Sequence, residues 1–186
     1  MNHLGTKILK TDRLLLRPFA LTDAEAMYRS WASAPEVTRF LTWPCRASPE
    51  VSAKVLTDWV EQYEKPEYYQ GAIVPAEIGE PIGSISVVGF DSRISQPEVG
   101  YCIRKRWWRQ GYTCTAPGLV IVFLIGEIGA SRITSWHNPR NPGSDTVMKK
   151  CGMTYEGTLR QADRNNQGIS GACVYSILVE EWFGAK

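Results

Sequence analysis

The stretch Val99–Thr113, VGYCIRKRWWRQGYT, combines a short apolar strand, a basic turn and a glycine placed directly before an apolar helix. The first turn of a helix carries unpaired N–H groups and a partial positive charge, which together bind phosphate. Gly111 lets the backbone approach a bulky anion because glycine has no Cβ atom. The basic side chains around it are Arg104, Lys105, Arg106 and Arg109. The stretch predicts a site for a diphosphate-bearing ligand; the alternative is a solvated basic turn before an ordinary helix.

Two other phosphate-binding motifs do not fit this stretch. A Walker loop requires GxxxxGK[ST], and the residues around Gly111 do not supply it. The dinucleotide fingerprint GxGxxG needs three glycines, whereas the basic turn contains one.

The segments on either side predict a mixed α/β sheet layered with helices. Short apolar runs bounded by turn residues predict strands near 13–19, 68–75, 81–90, 98–103, 132–136, 155–160 and 173–178. Capping residues and apolar periodicity predict four helices, which begin near Thr22, Ser48, Tyr112 and Asp145. The third of these is expected to continue to about Gly129, and the fourth to end at Cys151.

Composition excludes several classes of protein. The 186 residues are 44% hydrophobic with a net charge of +2, which is typical of a globular chain and not of a disordered one. The longest apolar run, Gly118–Gly126, has nine residues and is too short to span a bilayer. The five cysteines form no CxxC pair, so we expect free thiols, no metal site and a cytoplasmic location. Without repeats or linkers, the sequence predicts a single domain over residues 1–186.

Several ordered motifs resemble one known superfamily. The segments PEVGYCI, WWRQGYT, NPRNPGSDTVMKKCGM and YEGTLRQAD are similar to those of GNAT (GCN5-related) N-acetyltransferases. The nearest likeness is to the RimJ/RimL-type branch, which acetylates the N-terminal residues of ribosomal proteins. The opening TDRLLLRPFALTDAEAMYRSW and the closing YSILVEEW extend the resemblance over nearly the whole chain. The resemblance implies a central mixed, mostly antiparallel sheet of six to seven strands flanked by about four helices.

The resemblance also implies acetyl-CoA as the donor, CoA as the product and no metal. The helix start would bind the pyrophosphate through backbone N–H groups, and the preceding strand would pair with the pantetheine arm. The implied cofactor-binding residues are Val99, Tyr101, Cys102, Ile103, Arg104, Arg109, Gln110, Gly111, Tyr112, Thr113, Cys114, Asn138 and Ser144. Asn138 precedes a proline and is equally typical of a turn.

Three catalytic roles follow from the resemblance. A backbone N–H at Tyr101 or Cys102 would polarise the thioester carbonyl, and Ser144 would protonate the leaving thiolate. Asp163 would act as the general base and contact the amine. A loop carboxylate that caps its own turn remains an alternative for Asp163, and a helix N-cap for Ser144. Trp43 is expected in the wall of the acceptor pocket.

The sequence also departs from this branch at two positions. Thr115 stands where the branch usually has a glutamate, and Pro117 lies inside the predicted helix, where it removes a backbone donor. These departures keep open a non-catalytic acyl-CoA-binding or regulatory domain. The main hypothesis is direct attack by a primary amine, either a small molecule or a protein N-terminus, in a monomer or homodimer. We expect neither membrane nor nucleic-acid partners; a nucleic-acid module using Trp107 and Trp108 is the weaker alternative.

Overall fold

A computed structural model describes residues 1–184 as one eight-stranded sheet with helices on both faces. The order across the sheet is β1-β2-β3-β4-β5-β6-β8-β7, and every neighbouring pair is antiparallel except β5 and β6. The strands are β1 (Leu9–Lys10), β2 (Leu14–Pro18), β3 (Gln70–Pro75), β4 (Gly83–Asp91), β5 (Gln96–Ile103), β6 (Arg132–His137), β7 (Thr154–Asn165) and β8 (Gly168–Leu178).

Six α-helices occur within residues 1–184. They are α1 (Ala24–Met27), α2 (Pro35–Thr38), α3 (Pro49–Gln62), α4 (Tyr112–Gly126), α5 (Pro142–Lys150) and α6 (Val179–Gly184). Proline occupies the first position of α2, α3 and α5, where its missing N–H is one that a helix leaves unpaired anyway. α1 continues into a π-helical turn over Tyr28–Ala32.

The sheet separates two apolar cores. The larger core lies on the face covered by α4 and α5 and includes Ile103, Leu124 and Met148. The smaller core lies on the opposite face, beneath α1 and α3, where Trp31 and Leu56 are almost fully buried. Each strand therefore divides its side chains between two different helical layers.

The sheet opens between β5 and β6. These strands share a single paired position, Glu98 with Thr134, and diverge beyond it. Beyond the paired position, a side chain links the two strands: the Ser135 hydroxyl donates to the Val99 carbonyl oxygen at 2.7 Å. The divergence leaves the edge of β5 next to a gap in the middle of the sheet.

The structure confirms the expected GNAT-type fold and corrects its details. The sheet has eight strands where six to seven were expected, because the two-residue β1 adds an edge strand. There are six helices rather than about four, since α2 and α6 are each too short to show a period. α4 ends at Gly126, three residues before the expected end. β7 and β8 form a much longer hairpin than expected.

No helix within residues 1–184 has both the length and the apolar character needed to cross a bilayer.

Candidate functional site

The turn before α4 holds its backbone in two left-handed conformations. Gly111, the N-cap of α4, has φ of 93°, and Arg109 has φ of 61°, which is rare for a residue with a side chain. No side chain caps the N-terminus of α4, so its first N–H groups point outward without a side-chain acceptor. Such a turn forms an anion-binding concavity at the positive end of the helix dipole. This geometry is the one expected from the sequence for a diphosphate.

Side chains from distant parts of the chain support this turn. The Arg13 guanidinium lies over the Tyr112 ring, 4.9 Å from its centre, and donates to the Gln110 carbonyl oxygen at 3.4 Å. The Tyr112 hydroxyl donates to Glu77 at 3.1 Å, and the Trp108 indole N–H donates to the Ile103 carbonyl at 2.8 Å. Sequence reasoning missed Arg13 and Glu77, because no local motif links them to residues a hundred or thirty-five positions away.

The edge of β5 that faces the gap presents the backbone groups of alternate residues. Val99 accepts from Ser135 and Ile103 accepts from Trp108, so the odd-numbered residues Val99, Tyr101 and Ile103 face away from β4. Cys102 pairs with Ser84 of β4, and the even-numbered residue Arg104 donates its N–H at 2.8 Å to the carbonyl oxygen of Ile82, directly before β4. Of the two expected oxyanion donors, the Tyr101 N–H faces the gap and the Cys102 N–H faces β4.

Ser144 lies inside the first turn of α5 and does not cap it. The N-cap is Asn141, whose side-chain oxygen accepts from the Ser144 N–H at 3.3 Å and whose amide nitrogen donates to Ser144 Oγ at 3.0 Å. The alternative of Ser144 as an N-cap is therefore wrong. Across the gap, the Tyr101 hydroxyl donates to the Ser144 carbonyl oxygen at 3.5 Å, and burial raises the pKa of that phenol. The structure thus brings Tyr101 and Ser144 together.

Asn138 lies just after β6 and combines two features. Its side-chain oxygen accepts from the Arg140 N–H at 2.8 Å, which forms the turn that the neighbouring proline favours. Its side-chain Nδ2 is buried and has no partner among residues 1–184. A buried donor without an acceptor is costly, so a ligand carbonyl at this edge would satisfy it.

Asp163 lies in an irregular part of β7, on the face of the sheet that carries the smaller core. Gln161 has φ of 51°, and the pairing with β8 shifts between Leu159 and Asp163. The structure has Asp163 within β7 and not in a loop, and one of its oxygens accepts from the N–H of the next residue, Arg164, at 2.7 Å, so the alternative of a loop carboxylate that caps its own turn is wrong. Asp163 and Glu98 act on each other electrostatically.

Glu98 is the carboxylate that sequence reasoning missed. It lies on β5 at the position where the sheet opens, and burial together with the charge of Asp163 raises the pKa of its carboxyl group. A raised pKa in a partly enclosed carboxyl is typical of general bases. The sequence did contain a pointer to Glu98, since it belongs to the quoted segment PEVGYCI and directly precedes the strand residues implied to bind the cofactor.

The tip of the β7–β8 hairpin is attached to the loop after α2. The Asn166 side chain donates to the carbonyl oxygens of Thr38 at 2.8 Å and Trp43 at 2.7 Å, and the Asn166 N–H donates to Leu41 at 3.1 Å. We call residues Asn165–Gly168 the strap. The strap places Trp43, expected in the acceptor wall, on the same side of the sheet as Asp163. An adjacent groove is lined by Pro35, Glu36, Thr38, Arg39, Pro44, Cys45, Asn166 and Gln167.

The remaining reactive side chains are structural in character. All five cysteines are free, and burial raises the pKa of the Cys102 thiol. His137 is buried beside Tyr175, with one ring nitrogen 2.8 Å from the Asn138 carbonyl oxygen. Within residues 1–184, no three His, Cys, Asp or Glu side chains are grouped so that they could hold a metal ion.

Comparison with known proteins adds the family. Residues 13–154 match the model of the acetyltransferase (GNAT) domain. The uncharacterized N-acetyltransferase YoaA of Bacillus subtilis (strain 168) is 29% identical over 171 residues, covering 92% of this chain and 96% of YoaA.

Two solved structures share the fold at low sequence identity. The ribosomal-protein-S5-alanine acetyltransferase of Vibrio fischeri has a TM-score of 0.81 at 18% identity, covering 95% of this chain and 98% of its own. The microcin C7 self-immunity acetyltransferase MccE, solved with acetyl-CoA and AMP, has a TM-score of 0.79 at 19% identity, covering 90% and 93%.

Proposed function

Because this chain belongs to the GNAT acetyltransferase family, we propose that it transfers the acetyl group of acetyl-CoA to a primary amine by direct attack. The observation that carries the proposal is that two binding features lie next to each other, so that one extended ligand can contact both. The uncapped N-terminus of α4 is suited to a pyrophosphate, and the free backbone edge of β5 is suited to an extended amide-bearing arm. Acetyl-CoA has both chemical parts in one molecule.

The residues present fit this donor. The first N–H groups of α4 and the side chains of Arg104 and Arg109 would hold the pyrophosphate. The N–H and C=O groups of Tyr101 would pair with the pantetheine arm, since the Val99 carbonyl already accepts from Ser135, and Asn138 Nδ2 offers one more donor. MccE, which shares the fold, is described in complex with acetyl-CoA, which supports this choice of ligand.

Acetyl-CoA supplies a thioester: the reaction forms an N–C bond, breaks the C–S bond and moves one proton from the amine to the thiolate. An ammonium must lose its proton before the nitrogen can attack. In this proposal Glu98 takes that proton, and Asp163 holds the ammonium beforehand. The Tyr101 N–H would stabilise the charge on the carbonyl oxygen, and the Ser144 hydroxyl would give its proton to the departing thiolate and regain one from the nitrogen that has attacked.

The two sequence departures leave the donor site intact. Thr115, in place of a glutamate, turns its hydroxyl back to the Gly111 carbonyl oxygen at 3.2 Å. Pro117 lies within α4, whose N-terminal cap at Gly111 precedes it by more than one turn. The non-catalytic alternative therefore loses the observations that motivated it.

Calorimetric titration with acetyl-CoA, CoA and dephospho-CoA tests the proposal. We expect acetyl-CoA to bind, and Gly111→Val to weaken binding at least about tenfold, because a β-branched residue does not tolerate this left-handed conformation. Gly118→Val is the matched control, since Gly118 lies in the same helix with open space around it. Absence of binding by the wild-type protein would refute the proposal. Binding without acetylation of any amine would favour the non-catalytic alternative.

A further inference from the structure

Arg46 is a buried guanidinium without a carboxylate partner. Its residue is only 9% exposed, and it forms no ion pair with any of the residues 1–184. Its Nη1 donates to the sulfur of Met27 at 2.9 Å, a weak acceptor. Removing an arginine from water without an anion is unfavourable, so such residues are normally paired.

Aromatic rings pack against the planar faces of the Arg46 guanidinium, whereas most of the N–H groups at its edge have no acceptor. The guanidinium carbon lies 5.1 Å from the centre of the Trp43 ring and 5.8 Å from that of Trp59. A guanidinium has five N–H donors, and the thioether accepts from one nitrogen only. The fully enclosed side-chain atoms without a partner in residues 1–184 belong to Ser52, His137 and Asn138. The other nitrogens of Arg46 are not among these atoms, so they keep some exposure through which an anion can reach them.

Arg46 lies on the acceptor face of the sheet. It acts electrostatically on Cys102, whose side chain belongs to the same core as Trp43 and Trp59. Cys102 follows Glu98 by four residues on β5, so the two side chains share a face at a separation of roughly 13 Å along the strand. The Tyr101 N–H lies between them in sequence. One end of this face is thus acidic and the other carries an unpaired cation.

From this arrangement we infer that the acceptor is a small amine that also carries an anionic group, carboxylate or phosphate, which Arg46 binds. The inference rests on the proposed function and names its substrate class. The ammonium lies toward Glu98 and Asp163, and the anion lies at Arg46 beside Cys102. The strap, which bridges this side of the sheet through Asn166, favours a small molecule over a protein N-terminus.

Matched acceptor pairs test this inference. The panel contains β-alanine with propylamine, phosphoethanolamine with ethanolamine, and an octapeptide with an N-terminal alanine. Each is titrated calorimetrically into the CoA-bound protein and assayed for acetylation with acetyl-CoA. We expect the anionic member of at least one pair to bind more tightly and to show the lower KM. The two pairs distinguish carboxylate from phosphate.

Arg46→Met is the decisive variant because it keeps the packing against Trp43 and Trp59 and removes the charge. We expect the KM for the preferred anionic amine to rise by about 30-fold or more, with the KM for its neutral counterpart and for acetyl-CoA unchanged. Arg93→Met is the control for the loss of one positive charge, since the exposed Arg93 lies in the turn between β4 and β5 and pairs with Asp91. The control should leave both KM values unchanged.

Several outcomes overturn the inference. Equal effects of Arg46→Met on both members of a pair mean that Arg46 has a structural role only. Tighter binding of the neutral amines, or preference for the peptide independent of Arg46, also contradicts it while leaving acetyl transfer intact. If the wild-type protein does not bind acetyl-CoA, the proposed function itself fails and the inference fails with it.

Discussion

We expect Gly83→Ala to lower acetyl transfer, although Gly83 is not itself one of the proposed site residues. Gly83 pairs with Ile103 across β4 and β5, and it is buried against the backbone of the strand that presents Tyr101. A Cβ at this position would lie 2.2 Å from the Cys102 carbonyl oxygen, whereas real Cβ atoms essentially never approach closer than 3.0 Å, so the strand must retreat by at least 0.8 Å. The obstructing atoms are backbone, which cannot rotate away.

A displacement of this size matters because the oxyanion donor belongs to the same strand. A misplacement of about 1 Å at a reacting centre costs about 10²-fold in rate, and overpacking a core typically costs about 1–3 kcal/mol of stability. We expect kcat/KM to fall about 100-fold while the variant still unfolds cooperatively.

The assay pairs steady-state kinetics with urea unfolding of Gly83→Ala and of a control, Gly118→Ala. A Cβ at Gly118 meets no atom within 4 Å, so alanine should stabilise α4 by up to about 1 kcal/mol without changing the rate. If Gly83→Ala keeps wild-type kinetics and stability, the position of β5 does not determine activity, and the assignment of the Tyr101 N–H is wrong.

Further results follow from Glu98, Asp163 and the strap. Glu98→Gln should lower kcat by about 10²–10⁴-fold; a wild-type kcat would exclude Glu98 as the base. Because the folded state raises the pKa of Glu98, unfolding free energy should fall as pH rises through that pKa, and urea unfolding should show this decline reduced in Glu98→Gln. Asp163→Asn removes a charge that raises the same pKa, so the rising limb of the kcat/KM profile should move to lower pH; an unmoved limb contradicts the coupling. Asn166→Ala removes two hydrogen bonds and should weaken the strap by about 1–2 kcal/mol, seen as faster amide exchange at the hairpin tip, whereas Gln167→Ala should not.

The strands and the helix start around the proposed donor site could be predicted from the sequence. Gly111 is the left-handed N-cap of α4, and a glycine directly before an apolar run is a short-range signal for such a cap. The strands near Gly83 and Val99 follow from apolar runs bounded by turn residues. These predictions succeeded because each depends on neighbouring residues.

The acceptor side could not be predicted in the same way. The unpaired state of Arg46 depends on which carboxylates the fold keeps away from it, and the raised pKa of Glu98 depends on its burial and on Asp163, 65 residues later in the chain. The hairpin was underestimated because β7 is exposed along most of its length and therefore lacks the alternation that marks a half-buried strand. The first two failures concern tertiary partners, whereas the third concerns the exposure of the strand itself.

Alternate residues of β5 face different substrates in the proposed site, so one short strand bears on the recognition of both the donor and the acceptor. In the proposed site, the donor meets the backbone of the odd-numbered residues, whose side chains pack into the larger core, whereas the side chains of Glu98 and Cys102 face the acceptor. Natural variation can therefore change the acceptor while leaving donor recognition untouched, and an acceptor preference can be redesigned at even-numbered positions alone. Deleting one residue would exchange the two sets at once, so we expect relatives to vary in the residues of this strand and to preserve its length.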